Sequence, residues 1–185
     1  MNAIQIVRDS EQFPQMERIS ENQVNFYFDQ SERPYGNGTQ YMAVMVTVET
    51  KSNKLADIKA LALPAIKEYR LKQIKEYDCS KAVNEFFLNE VSMWLDDATR
   101  TKLAKRLDID KKSGLETTKV NYEGQTFILP VDTAEAMLFQ LEQYARDSFD
   151  KTNEHEAAVA AINDADEAIA YDFTQGYPQK LHFTL

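Results

Sequence analysis

The N-terminal part of the fold is decided by residues 22–50, which read NQVNFYFDQSERPYGNGTQYMAVMVTVET. Two runs in this stretch place apolar residues at every second position, namely Val24, Phe26 and Phe28, then Met42, Val44, Val46 and Val48. Alternation with a period of two is typical of β-strands that bury one face. The stretch therefore predicts two strands, at residues 22–29 and 40–50.

The segment between the two runs, residues 31–39, contains a proline, an asparagine and two glycines, which are residues that favour turns. We therefore expect a β-hairpin with a long tip loop. Two strands alone are only marginally stable in water, so the hairpin must pack on the rest of the chain or on a neighbour. A short apolar run at Ala3–Val7 is a further strand candidate.

A helix is predicted over residues 55–77, where apolar side chains follow a helical stripe and charged ones occupy the other face. Pro64 lies inside this span, and proline costs about 3 kcal/mol in a helix interior. We therefore expect either a kink at Pro64 or a helix that begins near residue 63.

Two short hairpins are predicted in the middle of the chain. In residues 82–95, Asn89-Glu90 can form a two-residue turn between two strands, although a helix is the alternative interpretation of this stretch. The second hairpin has a better turn, Glu123-Gly124, between strands at residues 117–122 and 125–129.

Two more helices follow from capping residues and apolar spacing. Asp96 can cap a helix that runs to about Leu107. Asp132, with a glutamate three residues later, has the spacing of a capping box and starts the longest predicted helix. Its apolar stripe follows helical spacing through Ala134, Leu138, Leu141, Ala145 and Phe149. The pattern continues to Ile162, and an interruption near residues 150–153 remains open.

The last segment, residues 169–185, has no helical period and is rich in aromatic side chains, with one glycine and one proline. A free tail of this kind would expose a large apolar area, so we interpret it as an arm that docks on a partner or on its own chain. Its candidate partner-binding residues are Tyr171, Phe173, Tyr177 and Phe183.

These patterns together predict an α+β protein with three parts. The first is an N-terminal β-hairpin region, residues 1–54. The second is a small three-helix domain with short β-hairpins, residues 55–168. The third is the extended C-terminal arm, residues 169–185.

Composition restricts the classes of partner. The chain of 185 residues has a net charge of −9, and residues 115–185 alone carry 4 basic and 13 acidic side chains. Such a surface repels nucleic acid, so no nucleic-acid binding is expected. No apolar run approaches the roughly 18 residues of a membrane span, and no secretory signal is recognised. The single cysteine, Cys79, cannot form an internal disulfide and is interpreted as structural.

No catalytic or metal-binding motif is complete. His155-Glu156 begins like a zinc-protease helix, but Val159 stands where that motif needs its second histidine. Residues 108–119 lack the glycine and the final glutamate of a calcium loop. We therefore expect no enzyme activity, no catalytic residue, no cofactor and no metal.

Trp94 is the only tryptophan. It can be an interface residue that carries much of a binding energy, or a core anchor between the neighbouring short segment and helices. The core interpretation is favoured, and Trp94 is retained as a candidate partner-binding residue beside the four aromatic residues of the arm.

A resemblance to a known family covers about residues 69–162. It is carried by Tyr77-Asp78-Cys79-Ser80, Val83-Asn84, Met93-Trp94-Leu95-Asp96, Ala98-Thr99-Arg100, Leu103, Tyr122, residues 125–130, Ala136-Met137-Leu138, Leu141, Tyr144-Ala145, Asp150-Lys151-Thr152 and His155. In these residues and their order, the chain resembles a domain of unknown function found in bacteriophage tail and tail-fibre proteins.

The resemblance implies a structural component of a tailed-bacteriophage virion, associated with the tail, tail fibre or baseplate, that is made in the host cytoplasm. Its partners would be other virion proteins, and several copies would form a ring or surround a fibre. Two alternatives stay open: a head–tail connector or capsid accessory protein, and a fibre-assembly factor that is absent from the finished virion.

Overall fold

The computed structural model describes residues 2–9 and 11–185. The elements of these residues are, in chain order, β1 (Ala3–Arg8), β2 (Met16–Ser20), β3 (Gln23–Tyr35), β4 (Gly38–Glu49), α1 (Leu55–Asp78), α2 (Lys81–Asn84), β5 (Phe86–Leu88), β6 (Val91–Met93), α3 (Asp97–Lys112), β7 (Thr117–Tyr122), β8 (Gln125–Pro130), α4 (Val131–Ala161), α5 (Ala165–Ala170) and β9 (His182–Phe183). The predicted α+β class is confirmed. None of the helices in the described residues combines the length and apolar composition that a bilayer crossing requires.

Contacts divide the chain into two compact units. Unit 1 contains the residues up to Lys75 together with Glu154–Phe173, and unit 2 contains Glu76–Asn153 together with Thr174–Leu185. This division differs from the three predicted segments, because α1 and α4 each contribute residues to both units. The predicted arm is also shared between the units, since it changes unit after Phe173.

The core of unit 1 lies between a four-stranded antiparallel sheet and α1. The strand order is β1-β4-β3-β2. The buried face consists of Val24, Phe26 and Phe28 of β3 and Val44, Val46 and Val48 of β4, which pack against Ile58, Ala62, Ala65 and Ile66 of α1. Met42, which continues the alternation, is only partly buried. The alternation in the sequence thus identified the buried face of this sheet.

The tip of the β3–β4 hairpin is tighter than predicted. Ser31–Tyr35 pair with residues 38–42 of β4, so that Gly36-Asn37 is a two-residue turn and the long tip loop is wrong. The pairing register of β3 with β4 shifts at a bulge between Phe28 and Ser31, where Asp29 has a φ of +48°. Such bulges leave a residue unpaired without ending the ladder.

Pro64 does not start α1. The helix runs from Leu55 to Asp78 with Pro64 inside it, so the predicted start near residue 63 is wrong. Pro64 has no N–H to donate to the carbonyl of Ala60, but both residues are exposed. Water can therefore satisfy that carbonyl, which lowers the cost of the proline.

Unit 2 contains both predicted short hairpins. Asn89 and Glu90 have φ angles of 47° and 63° and join β5 to β6, as a tight turn of mirror-image type requires. The strand interpretation of residues 82–95 is therefore confirmed for residues 86–93, while Lys81–Asn84 form a single helical turn. The Glu123-Gly124 turn joins β7 to β8.

Of the two capped helices predicted in this part of the chain, one is longer than predicted and the other is continuous. Asp96 caps α3, as expected, but the helix continues past Leu107 to Lys112. The long helix α4 has no interruption at residues 150–153. Apolar side chains from these helices and hairpins form two buried clusters, which contain Phe86, Leu88, Met93, Leu95 and Leu141 in one and Leu107, Leu129, Val131, Ala134 and Leu138 in the other.

Candidate functional site

Two of the predicted partner-binding residues belong to unit 1. The hydroxyl of Tyr171 lies 2.8 Å from Nδ1 of His155, and the two rings meet edge to face. His155 is almost fully buried, so it packs in the fold. Tyr171 is thus held by its own chain, and Phe173 is half-buried in the same unit.

The arm residues of unit 2 also pack on their own chain. Tyr177 shares a hydrogen bond of 3.0 Å with the hydroxyl of Thr152, its ring contacts that of Tyr77, and burial raises its pKa. Phe183 meets the ring of Phe86 edge to face, in a strand that pairs in parallel with β5.

A charged contact secures the end of the arm. Lys180 Nζ donates to Glu85 Oε2 at 2.6 Å, and this hydrogen bond, with a second from Ser92, holds the pKa of Glu85 below its usual range. The ring of His182 stacks on Phe87 at 4.6 Å between centroids. The end of the arm therefore contributes β9, His182–Phe183, as the third strand of this small sheet.

Trp94, unlike the aromatic residues of the arm, is exposed to solvent. Its side chain is 37% exposed, so the prediction of a core anchor is wrong. The reason is the extended chain after β6, in which neighbouring side chains point to opposite sides. Met93 and Leu95 point inward and are buried, and Trp94 between them points outward. Its backbone N–H donates to the hydroxyl of Tyr122 at 3.1 Å.

The exposed indole lies in a groove of about 500 Å³, which we call the Trp94 groove. Its lining residues are Asp78, Cys79, Asn84, Trp94, Asp96, Asp97, Arg100, Glu142, Ala145, Arg146, Ser148 and Phe149. They come from the C-terminal end of α1 and the residue after it, from the last residue of α2, from the segment 94–97 with the start of α3, and from one face of α4. The groove is therefore lined by helix ends and by residues 94–97, in which the backbone of Trp94 and Leu95 is held by hydrogen bonds.

Arg100 joins the two helical walls of the Trp94 groove. Its Nε donates to Glu142 Oε1 at 3.0 Å across to α4, and its Nη1 donates to the carbonyl of Leu95 at 2.8 Å. A longer contact of 3.5 Å reaches Asp97. The guanidinium therefore links the two helical walls and holds the backbone carbonyl of the residue next to Trp94.

The charge of the groove is predominantly negative. Four acidic residues line it and two basic ones do, and Arg100 is paired with one of the four, Glu142. The backbone N–H of Thr99 donates to Asp96 at 2.6 Å and holds the pKa of Asp96 below its usual range. Arg146 pairs with Asp147, which raises the arginine pKa. The groove thus offers carboxylates beside an exposed aromatic surface.

Phe149 is the groove residue that the sequence pattern misassigned. It had been placed on the apolar stripe of the long helix, yet it is 60% exposed. The buried stripe of α4 runs instead through the polar residues Ser148, Thr152 and His155. Continuing the three- and four-residue spacing from Leu141 through Tyr144 to Ser148 would have placed Phe149 outside the stripe.

The groove offers both apolar and charged side chains for contact. Trp94, Phe149 and the stems of the arginines supply apolar contact, and the carboxylates supply charge. Among the described residues, no group of three or more His, Cys, Asp or Glu side chains is gathered as a metal site would require. Aromatic and arginine side chains are the types that contribute most to protein–protein affinity.

No family model, no curated protein sequence and no solved structure matches this chain.

Proposed function

We propose that this protein is a non-enzymatic structural component of a tailed-bacteriophage virion, part of the tail, tail fibre or baseplate, which binds another virion protein through the Trp94 groove. The observation that carries the proposal is the exposure of Trp94. Tryptophan is one of the largest apolar side chains, so burying it in an interface contributes several times more binding free energy than burying a small residue does. Its exposure in an ordered groove favours a protein partner.

The order of the groove supports the same conclusion. Arg100 and Tyr122 hold the backbone on either side of the indole through hydrogen bonds. Binding costs less when side chains are already fixed in the bound geometry. A second exposed aromatic ring, Phe149, lies in the same groove, so a partner can bury two rings at one place.

The charge of the groove defines the chemistry of the partner. Carboxylates of Asp78, Asp96, Asp97 and Glu142 line it, and complementary charge steers association and suppresses wrong partners. The expected partner segment therefore carries an apolar side chain that inserts between the rings, with lysine or arginine beside it.

The virion context comes from the resemblance over residues 69–162. The residues that carry it include several that line the groove, namely Asp78, Cys79, Asn84, Trp94, Asp96, Arg100 and Ala145. The part of the chain that resembles a phage-tail domain is thus also the part that holds the proposed binding site. Several copies in a ring or around a fibre are part of this proposal.

Mass spectrometry of purified, intact particles of the phage that encodes this chain tests the proposal. Peptides of the chain are expected at a fixed stoichiometry relative to the major tail proteins, because a structural part has a copy number set by symmetry. A copy number that follows the head proteins would instead indicate a connector or capsid accessory protein. Absence from particles, with abundance in infected cells, would overturn the virion proposal in favour of an assembly factor.

A further inference from the structure

The two edge strands of the unit 1 sheet differ in how they are protected. At one edge, β2 contains Glu17 and Arg18, and its pairing with β3 is irregular between Arg18 and Ser20. Arg18 also donates to Asn53 Oδ1 at 2.8 Å and to the carbonyl of Ser52 at 2.6 Å. Charges and bulges on an edge strand prevent pairing with another chain, so the β2 edge is blocked.

The other edge, β1, has no bulge, and its single charged residue, Arg8, is the last residue of the strand. Residues 3–7 read AIQIV and carry no charge, and the strand pairs with β4 in an unbroken register from Ala3 to Arg8. Ile4 and Val7 are each about half exposed, at 49% and 51%. A regular and partly apolar edge, whose one charge lies at its end, is a template for a further strand.

A groove next to this edge fits the side chains of such a strand. It has a volume of about 500 Å³ and is lined by Asn2 and Ala3 together with residues of α1, namely Ala65, Glu68, Tyr69, Leu71, Lys72 and Lys75. Ala3 lies opposite Val46 and packs on the core of unit 1. A strand added beside β1 would therefore place the side chain opposite Ala3 over this groove, against α1.

We propose that the strand added at this edge is β1 of a second copy of the chain, paired antiparallel about a two-fold axis at Gln5. A two-fold axis perpendicular to the sheet keeps each face on its own side, so a residue of β1 must meet one of the same face. In this register Gln5 lies opposite Gln5, Ile4 opposite Ile6, and Ala3 opposite Val7 of the second copy.

The residue pairs formed in this register are the reason why a second copy of the chain is expected at the β1 edge. Val7, which is half exposed in one chain, covers the groove beside Ala3 of the other, and the small size of Ala3 leaves room for it. Ile4 and Ile6 pair on the opposite face, beside the apolar cluster that includes Tyr41 and Met45. A register centred on Ile6 would instead set Arg8 against Ile4. The strand is thus complementary to itself in one register and joins two sheets into one of eight strands.

Sedimentation of the full chain tests the association. The wild type is expected to sediment at twice the chain mass of 21.3 kDa at micromolar concentration, and Ile4→Lys is expected to sediment as a monomer. The matched control is Ile19→Lys on the β2 edge, because Ile19 is 50% exposed against 49% for Ile4. The control should remain a dimer. A monomeric wild type, or an Ile4→Lys variant that stays dimeric, overturns the proposal. If the wild type is monomeric, the expected occupant of the β1 edge becomes a strand of another protein.

Disulfide trapping tests the register. In a Cys79→Ser background, Gln5→Cys is expected to form a covalent dimer on mild oxidation, because residues directly opposite in an antiparallel pair have Cα atoms about 4.5–5.5 Å apart, within disulfide range. Val7→Cys is the control, since the two copies of residue 7 would lie four residues apart along the strands, about 13 Å. A covalent dimer through Val7→Cys and none through Gln5→Cys overturns the pairing about Gln5.

Discussion

Substitution of Arg70 by alanine is expected to lower the free energy of unfolding by about 3 kcal/mol or more, since breaking a buried ion pair leaves an uncompensated charge. The Arg70 side chain is 7% exposed. Its two terminal nitrogens donate to the two oxygens of Asp29 at 2.8 and 2.7 Å. It also donates to the main-chain carbonyls of Ala168, at 3.0 Å, and Ile169.

The hydrogen bonds that Arg70→Ala removes lie within unit 1. The guanidinium connects α1 to the bulge of β3 and to α5, so alanine leaves a carboxylate and two carbonyls without their donor. Asp29 has a positive φ, which the ion pair helps to hold. Urea unfolding followed by far-ultraviolet circular dichroism measures the loss.

Lys59→Ala is the matched control for Arg70. Lys59 pairs with Asp166, also in unit 1, at 2.6 Å, but the Asp166 carboxylate is largely exposed. Exposed ion pairs contribute between nothing and about 1 kcal/mol, so this variant should unfold almost as the wild type does. Equal losses for the two variants would show that Arg70 has no special role in the core.

Substitution of Trp94 by alanine is expected to weaken binding of the proposed virion partner by about 30-fold or more, which corresponds to the 2 kcal/mol or larger loss typical of a dominant interface residue. Phe149→Ala should have a smaller effect of the same kind. Phe149→Ala should change the free energy of unfolding little, because Phe149 is 60% exposed. Trp94 is only 37% exposed, so Trp94→Ala also removes buried apolar surface, and urea unfolding of each variant accompanies the binding measurement. The measurement is the amount of each variant recovered in particles that lack the wild-type chain.

A matched variant distinguishes binding from general loss of apolar surface. Phe139 lies on the same helix as Phe149 and is 63% exposed, against 60% for Phe149, but it does not line the Trp94 groove. Phe139→Ala should therefore enter particles normally. If it is lost as readily as Phe149→Ala, the groove is not the site of contact.

Strand patterns were read correctly from the sequence where one face alternates with the other. Val24, Phe26 and Phe28 are buried as a set, because the period of two leaves no other face for them. The extent of the hairpin could not be obtained in the same way. Its outer part, Ser31–Tyr35, is polar and exposed, and its pairing with β4 is dictated by the two-residue turn and the bulge at Asp29.

The candidate site was predicted only in part. Trp94 was named, but its direction depends on which side chains of an extended segment turn inward, and Met93 and Leu95 took the core positions. Phe149 was misplaced because the buried stripe of α4 includes Ser148 and Thr152, polar residues that hydropathy alone excludes. Arg100 and Glu142 meet only in the folded chain, since they are far apart in sequence.

Photo-crosslinking in intact particles tests the binding role of the Trp94 groove most directly. Benzoylphenylalanine, a photoreactive phenylalanine analogue, would replace Phe149 in one preparation and Phe139 in another. The account predicts a crosslink from position 149 to a second virion protein, at a segment with basic residues beside an apolar one, and none to that protein from position 139. No crosslink from position 149 in particles that contain the chain, or the same product from both positions, would contradict it.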